Sequence, residues 1–172
     1  CHGGSRDAVF ETRSRSAGSK SIERLTPHLY TTTIAMEESY HVEGEEIVPL
    51  VIAVPKELAE GEKRVATVPE VVQKLTKAGH EVRIEHDAGT RAFYPDDLFT
   101  AAGGRILSSR VELLEGARVV VCVQPPAVED IDRLAEGTIV IGFMNPARNT
   151  DAVIRMRDRK ITAFALELVP RI

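Results

Sequence analysis

Few residues in this chain have the types and spacing that do chemistry. Arg64 sits in Gly61-Glu62-Lys63-Arg64-Val65-Ala66. A guanidinium there can hold an anionic substrate through two parallel hydrogen bonds, or it can close a surface salt bridge. Arg171 follows Pro170 in an irregular final segment and offers a second planar cation. Lys56 and Glu57 follow an apolar run and read as a solvated pair. His80 and His86 flank an alternating stretch on the same parity as Val82 and Ile84. They read as ordinary strand-end histidines, because no Cys or carboxylate cluster joins them in the pattern of a structural metal site. Cys122 lies inside an apolar run and reads as a small packed hydrophobe, since a reactive thiol needs an electropositive, accessible setting. No G-x-G-x-x-G and no G-x-x-x-x-G-K-[ST] occurs, so no phosphate-binding motif is visible. Gly103-Gly104 follows a short helix and precedes a strand, the wrong context for either.

The elements that must position these groups are legible from Val48 onward. Val51–Val54 is a continuous apolar run closed by Pro55. Pro69 opens a helix in which Val72, Leu75 and Ala78 share a face, and Gly79 stops it. Glu81–Glu85 alternates, with Val82 and Ile84 inward and Glu81, Arg83 and Glu85 outward. Asp96–Ala102 reads as a short helix, and Ser109 with Glu112 as a capping box for another. Arg118–Val123 is apolar on both faces, as in a parallel sheet covered on each side, and Pro125-Pro126 breaks it. Val128, Ile131 and Leu134 mark a helix stopped by Gly137. Thr138–Phe143 reads as a buried strand, Thr150 as the cap of a helix over Asp151–Arg159, and Ile161–Leu166 as a last buried strand. The alternation predicts an α/β fold: a flavodoxin- or Rossmann-like open, mostly parallel sheet with helices on both faces. In such sheets ligands meet the carboxyl ends of strands. Four segments leave strands that way: Val54–Glu57, Val123–Pro126, Phe143–Pro146 and Val169–Arg171.

The chain has 172 residues, 43% hydrophobic and 28% charged, with a formal charge of -4. This fits one ordinary soluble domain. Interspersed charge gives no footprint for nucleic acid. No apolar run reaches the ~20 residues that span a bilayer. Cys1 and Cys122 are too far apart in pattern to suggest a disulfide framework. Residues 1–46 differ from the rest: Ser5, Ser14, Ser16, Ser19 and Ser21 mix with Arg6, Arg13, Arg15, Lys20 and Arg24, and periodicity is weak. Such a segment is expected to be a disordered extension before a domain over 47–172. It reads either as flanking sequence before a start at Met36 or as a transit peptide, against which Asp7, Glu11 and Glu23 count.

The order VPKE, GEKRVATVPEVVQKLTKAGHEV, AGG, VVVCVQPP, GFMNPARN and ITAFALELVPRI resembles the N-terminal domain shared by alanine dehydrogenase and the alpha subunit of proton-translocating NAD(P) transhydrogenase. The resemblance covers about residues 50 to 172. In the alanine dehydrogenase branch it implies an Arg, a Lys and a His that hold a 2-oxo acid. The Arg would be Arg64, the Lys position is Gln124 here, and the His position is Asn145. An amide supplies no full positive charge, and Asn is no acid or base near neutral pH. The transhydrogenase branch therefore fits better, through the NPARN segment and the VPRI ending.

That branch implies Arg171 as the catalytic and cofactor-binding residue, holding a nicotinamide while hydride passes from NADH to NADP+. It implies NAD(H) and NADP(H) as cofactors of the full complex and a Rossmann domain elsewhere in the same subunit. Further implied partners are a membrane-embedded domain or beta subunit and a second copy in a homodimer. The location implied is peripheral, on the cytoplasmic side of the inner membrane, with this piece itself soluble. The chain is accordingly expected to be a piece of a longer enzyme, ending inside a working loop. The competing expectations are an alanine dehydrogenase fragment and a non-catalytic binding module of the same fold.

Overall fold

A computed structural model describes residues 48–170. The expected extension over 1–46, its candidate start at Met36, and Arg171 lie outside the described residues. Eleven regular elements alternate as β1 (Val51–Val54), α1 (Pro69–Lys77), β2 (Glu81–Glu85), α2 (Asp96–Ala101), β3 (Arg105–Leu107), α3 (Arg110–Leu114), β4 (Val119–Val121), α4 (Val128–Ile131), β5 (Ile139–Gly142), α5 (Thr150–Asp158) and β6 (Thr162–Ala165). The six strands form one sheet in the order β3-β2-β1-β4-β5-β6, every pair parallel. The expected open sheet is thus entirely parallel, with a Rossmann-type strand order.

Period-two alternation along β1 divides the core. Ile52 and Val54 pack with Val72 of α1, Phe99 of α2, Val82 and Ile84. Ala53, between them, belongs to the opposite side with Val120, Val140, Leu113 and Leu114 of α3, Ile131 of α4 and Met156 of α5. Helices therefore cover both faces, α1 and α2 on one, α3 to α5 on the other. The Arg83 parity of β2, expected to face outward, lies under α3. Arg83 donates to the carbonyls of Glu112 and Glu115 at 3.2 and 2.7 Å and pairs with Glu81 at 2.8 Å. A long basic side chain can thus occupy a covered face by satisfying the free carbonyls at a helix end.

Several expected bounds shift. Ala78 caps α1 and is exposed, so the buried stripe there reduces to Val72 with Leu75 half buried. Ser109 does cap α3, its hydroxyl accepting from the Glu112 amide at 3.3 Å. α4 is a single turn ending at Ile131, and Leu134 is buried beyond it. Thr150 is the first helical residue of α5 and Asn149 holds the cap position. Thr150 donates its hydroxyl to the Pro146 carbonyl at 3.4 Å instead of capping. The largest difference is β6. Expected as buried, it is an edge strand in which Thr162, Ala163 and Phe164 are exposed, Phe164 at 52%. Its apolar composition does not bury it, because nothing among the described residues pairs with its outer edge.

Candidate functional site at the carboxyl ends of the strands

A parallel sheet delivers all its carboxyl ends to one rim. The order reverses beside β1, whose neighbours are β2 and β4, so the ends of β1 and β4 flank the crevice where such sheets take ligands. Glu57 leaves β1 and crosses to β4. Its carboxylate accepts the Val123 amide at 2.5 Å and the Gln124 amide at 3.2 Å, and it is only 5% exposed. Burial pushes the carboxyl above its ordinary range, against the pull of those two amides. Glu57 is thus a buried clamp and not a solvated partner of Lys56. The Lys56 amide donates to Glu85 at 2.7 Å. Arg110 donates to Glu85 at 2.7 Å, to the Lys56 carbonyl at 3.1 Å and to Asp130 at 2.8 Å. Lys56, Glu57 and Arg110 line a cavity of about 160 Å³ together with Cys122 and Gln124.

Arg64 reaches the same rim from the loop after β1. Its Nε and Nη2 donate to the two Glu62 oxygens at 2.8 and 2.6 Å. Its backbone amide donates to Glu62 at 3.0 Å, as does the Gln124 side-chain amide. The guanidinium lies 5.8 Å from the Phe143 ring centroid. Of the two readings the sequence left open, the salt bridge is the geometry observed. The Arg64 bonds, helped by Gln124 and opposed by partial desolvation, hold the Glu62 carboxyl far below its usual range.

Asn145 leaves β5 with φ 42°, a left-handed conformation that Asn tolerates better than most side chains. Glu167, in the 3-10 turn Leu166–Leu168 after β6, accepts the amides of Met144 at 3.2 Å and Asn145 at 2.6 Å. Desolvation opposes ionisation of Glu167, yet the amides it accepts hold its carboxyl below the usual range. The clamp ties the backbone leading to Pro170 onto the turn after β5. A second cavity, about 520 Å³, opens between Pro125–Val128 and Arg148–Ala152.

The other candidates resolve locally. His80 and His86 stand at opposite ends of β2, and His80 Nδ1 accepts the Leu50 amide at 3.4 Å. His86 Nδ1 lies 2.6 Å from Asp96, with Asp87 at 3.5 Å, so two carboxylates do converge on it, contrary to the sequence reading. Asp96 also accepts the Asp87 amide at 3.0 Å and ties the turn after β2. Burial pushes the Cys122 thiol up to about 12, as fits an inert packed side chain. A Cβ at Gly104 would stand 3.0 Å from the Phe99 carbonyl oxygen and 2.5 Å from Ile84 Cδ1, so close packing accounts for this glycine.

Sequence reasoning missed Glu57, Glu62 and Glu167 as rim builders. For Glu57 and Glu167 the signal was a carboxylate just past a strand, and for Glu62 an Arg two residues on. Its partners lie 66 residues away for Glu57 and 22 for Glu167, so strand order had to be known first.

The family model described as alanine dehydrogenase/PNT, N-terminal domain, matches residues 53–172. An NAD(P) transhydrogenase subunit alpha polypeptide of Rhodospirillum rubrum is 45% identical over 126 residues, covering 70% of this chain and 33% of its own length. The alanine dehydrogenase of Methanococcus maripaludis is 33% identical over 120 residues, covering 70% and 32%. The crystal structure of the transhydrogenase from Sinorhizobium meliloti superposes with a TM-score of 0.66 at 34% identity, over 71% of this chain and 36% of that one. The chain spans about a third of the length of these curated relatives. Among the described residues no helix is long and apolar enough to cross a membrane. By the match over residues 53–172, this chain belongs to the alanine dehydrogenase/PNT N-terminal domain family.

Proposed function

We propose that this chain, as a domain over 47–172, is the N-terminal part of an NAD(P) transhydrogenase alpha subunit. In the complete protein that subunit passes hydride from NADH to NADP+. The carrying observation is the Glu167 clamp, which ties the backbone up to Pro170 to the rim beside Asn145. The backbone described up to Pro170 leaves that clamp on the carboxyl-end rim of the sheet, and Arg171 follows Pro170 in sequence. A guanidinium there would orient the nicotinamide. Direct hydride transfer requires the two carbons aligned at about 3–3.5 Å, and it asks no general base of this domain. The chain carries no phosphate-binding motif, so the nucleotide phosphates belong to a Rossmann domain elsewhere in the subunit. The reading includes a homodimer. It also includes a membrane-embedded partner that couples the transfer to proton movement, with this domain peripheral on the cytoplasmic side of the inner membrane.

The similarity to the Rhodospirillum rubrum subunit supports this reading. A second reading, alanine dehydrogenase, has the Methanococcus maripaludis relative on its side. It has against it the amides Gln124 and Asn145 where a 2-oxo acid needs cationic or acid groups. The test compares the isolated 172 residues with a polypeptide of the relatives' length. The short chain is expected to bind NADH weakly and to transfer no hydride to an NADP+ analogue, and the long one to transfer it. Turnover by the short chain alone, or alanine deamination by the long one, counts against the proposal.

A further inference from the structure

We propose that β6 is a docking edge for a second copy of this chain, paired antiparallel about a twofold axis at Phe164. The inference goes beyond the transhydrogenase reading, because it stands on the edge strand alone.

The two edges of the sheet are built differently. β3 has three residues, and its first, Arg105, is exposed and reaches Glu81 at 3.5 Å. A short strand with an outward charge is a guarded edge. β6 has four residues, Thr-Ala-Phe-Ala, with neither charge nor proline. Thr162 donates its amide to the Thr138 carbonyl at 3.0 Å. In register with β5, alternation therefore aims the amides and carbonyls of Thr162 and Phe164 at β5 and those of Ala163 and Ala165 outward. Apolar surface flanks these outward groups on both faces. Phe164 is 52% exposed on one face. On the other, a groove of about 470 Å³ runs between Val153 and Met156 of α5 and Ile161, Ala163 and Leu168.

Charge sets the direction of pairing. Arg159, just before β6, gives its guanidinium to the Asp132 and Leu134 carbonyls and to no carboxylate among the described residues. Glu167, just after β6, accepts amides and meets no cation among the described residues. Antiparallel pairing sets the acidic end of each copy beside the basic end of the other, whereas parallel pairing would align like charges. Geometry sets the register. A twofold axis normal to the sheet keeps each side chain on its own face, so the residue on the axis meets its own equivalent. With Phe164 there, Ala163 lies opposite the partner's Ala165, and every outward amide of both strands meets a carbonyl. With Ala163 there, Ala165 would face the partner's Ile161, whose amide is given to the Met156 carbonyl at 2.9 Å. With Ala165 there, Ala163 would face the partner's Glu167, inside the 3-10 turn. The Phe164 register uses the whole edge. It also brings the two Phe164 rings together and closes the two grooves against each other. Such a seam buries on the order of 500 Å² from each copy, near the ~1,000 Å² total at which specific interfaces begin. The dimer is therefore weak and reversible, with dissociation in the micromolar range.

Sedimentation equilibrium of the 172-residue chain, at concentrations spanning that range, is the test. The mass is expected to rise from monomer to dimer and stop there, as a closed twofold requires. Phe164→Glu sets like charges face to face on the axis. Ala163→Pro removes an outward amide that has no partner among the described residues, which an edge strand tolerates. Each should weaken the dimer at least about tenfold, and either serves if the other fails to fold. Oxidation of single cysteines in a Cys1→Ser background reads the register. Phe164→Cys should link two copies, since residues directly opposite lie about 4.5–5.5 Å apart, within disulfide reach. Thr162→Cys should not, because its equivalents stand about 13 Å apart. A chain that stays monomeric overturns the proposal, whether its edge is open or covered by another segment of the same chain. So does a dimer that both variants leave intact, growth past the dimer, or linkage as fast at 162 as at 164. Since no hydride transfer is measured, these outcomes are separate from failure of the transhydrogenase reading.

Discussion

Glu57 and Glu167 make the same bonds in opposite surroundings. Each leaves a strand end and accepts two successive amides from the turn after the neighbouring strand, Val123 and Gln124 for Glu57, Met144 and Asn145 for Glu167. Glu57 does so in the middle of the sheet, 5% exposed, with its carboxyl pushed up by burial. Glu167 does so at the exposed β6 edge, where its carboxyl sits low despite some desolvation. Burial turns the first clamp into a fixed strut. Solvent leaves the second able to open without disturbing the core.

Substitutions that break this contrast should fall in a definite order. Glu57→Ala strands two backbone amides in a buried site and should cost roughly 2–4 kcal/mol in denaturant unfolding. Gly142→Ala comes next, since its Cβ would stand 2.4 Å from the Cys122 carbonyl oxygen. Overpacking there should cost about 1–3 kcal/mol and show as a lowered midpoint at unchanged slope. The pH dependence should separate the clamps by sign. The Glu57 carboxyl is raised from its ordinary 4.5, so its contribution is fully present below that value and is lost as pH rises through the folded value. The stability advantage of wild type over Glu57→Gln should therefore shrink as pH rises above 4.5. The Glu167 carboxyl is lowered, so its contribution is present above the ordinary value and is lost as pH falls through the folded one. The protection factors of the Met144 and Asn145 amides, taken against the intrinsic exchange rate at each pH, should accordingly fall on acidification while that of Val123 holds. The smallest effect on global stability belongs to Glu167→Gln. It should leave the unfolding midpoint nearly unmoved and still speed exchange at Met144 and Asn145. A midpoint loss equal to that of Glu57→Ala would erase the distinction.

How much of this was legible depended on range. Local patterns placed β1, α1, β2 and the Ser109 cap, because apolar period, Pro69 and Gly79 act within a few residues. The burial of β6 was misread because an apolar stretch reports what a strand could bury and not what lies against it. α4 was read too long because its apolar spacing continues beyond the one-turn helix, with Leu134 buried from a non-helical position. At the site, the salt-bridge reading of Arg64 was legible, while its partner Glu62, two residues away, was not named. Glu57 looked solvated because its partners become neighbours only once β1 and β4 are side by side.

The central claim is that this rim positions a nicotinamide through the segment that Glu167 anchors. The direct measurement is hydride transfer from NADH to an NADP+ analogue by a polypeptide of the relatives' length, comparing wild type with Arg171→Ala. The account predicts a fall in the transfer rate of about tenfold or more at saturating nucleotide, with a smaller change in NADH affinity. An unchanged rate would contradict it.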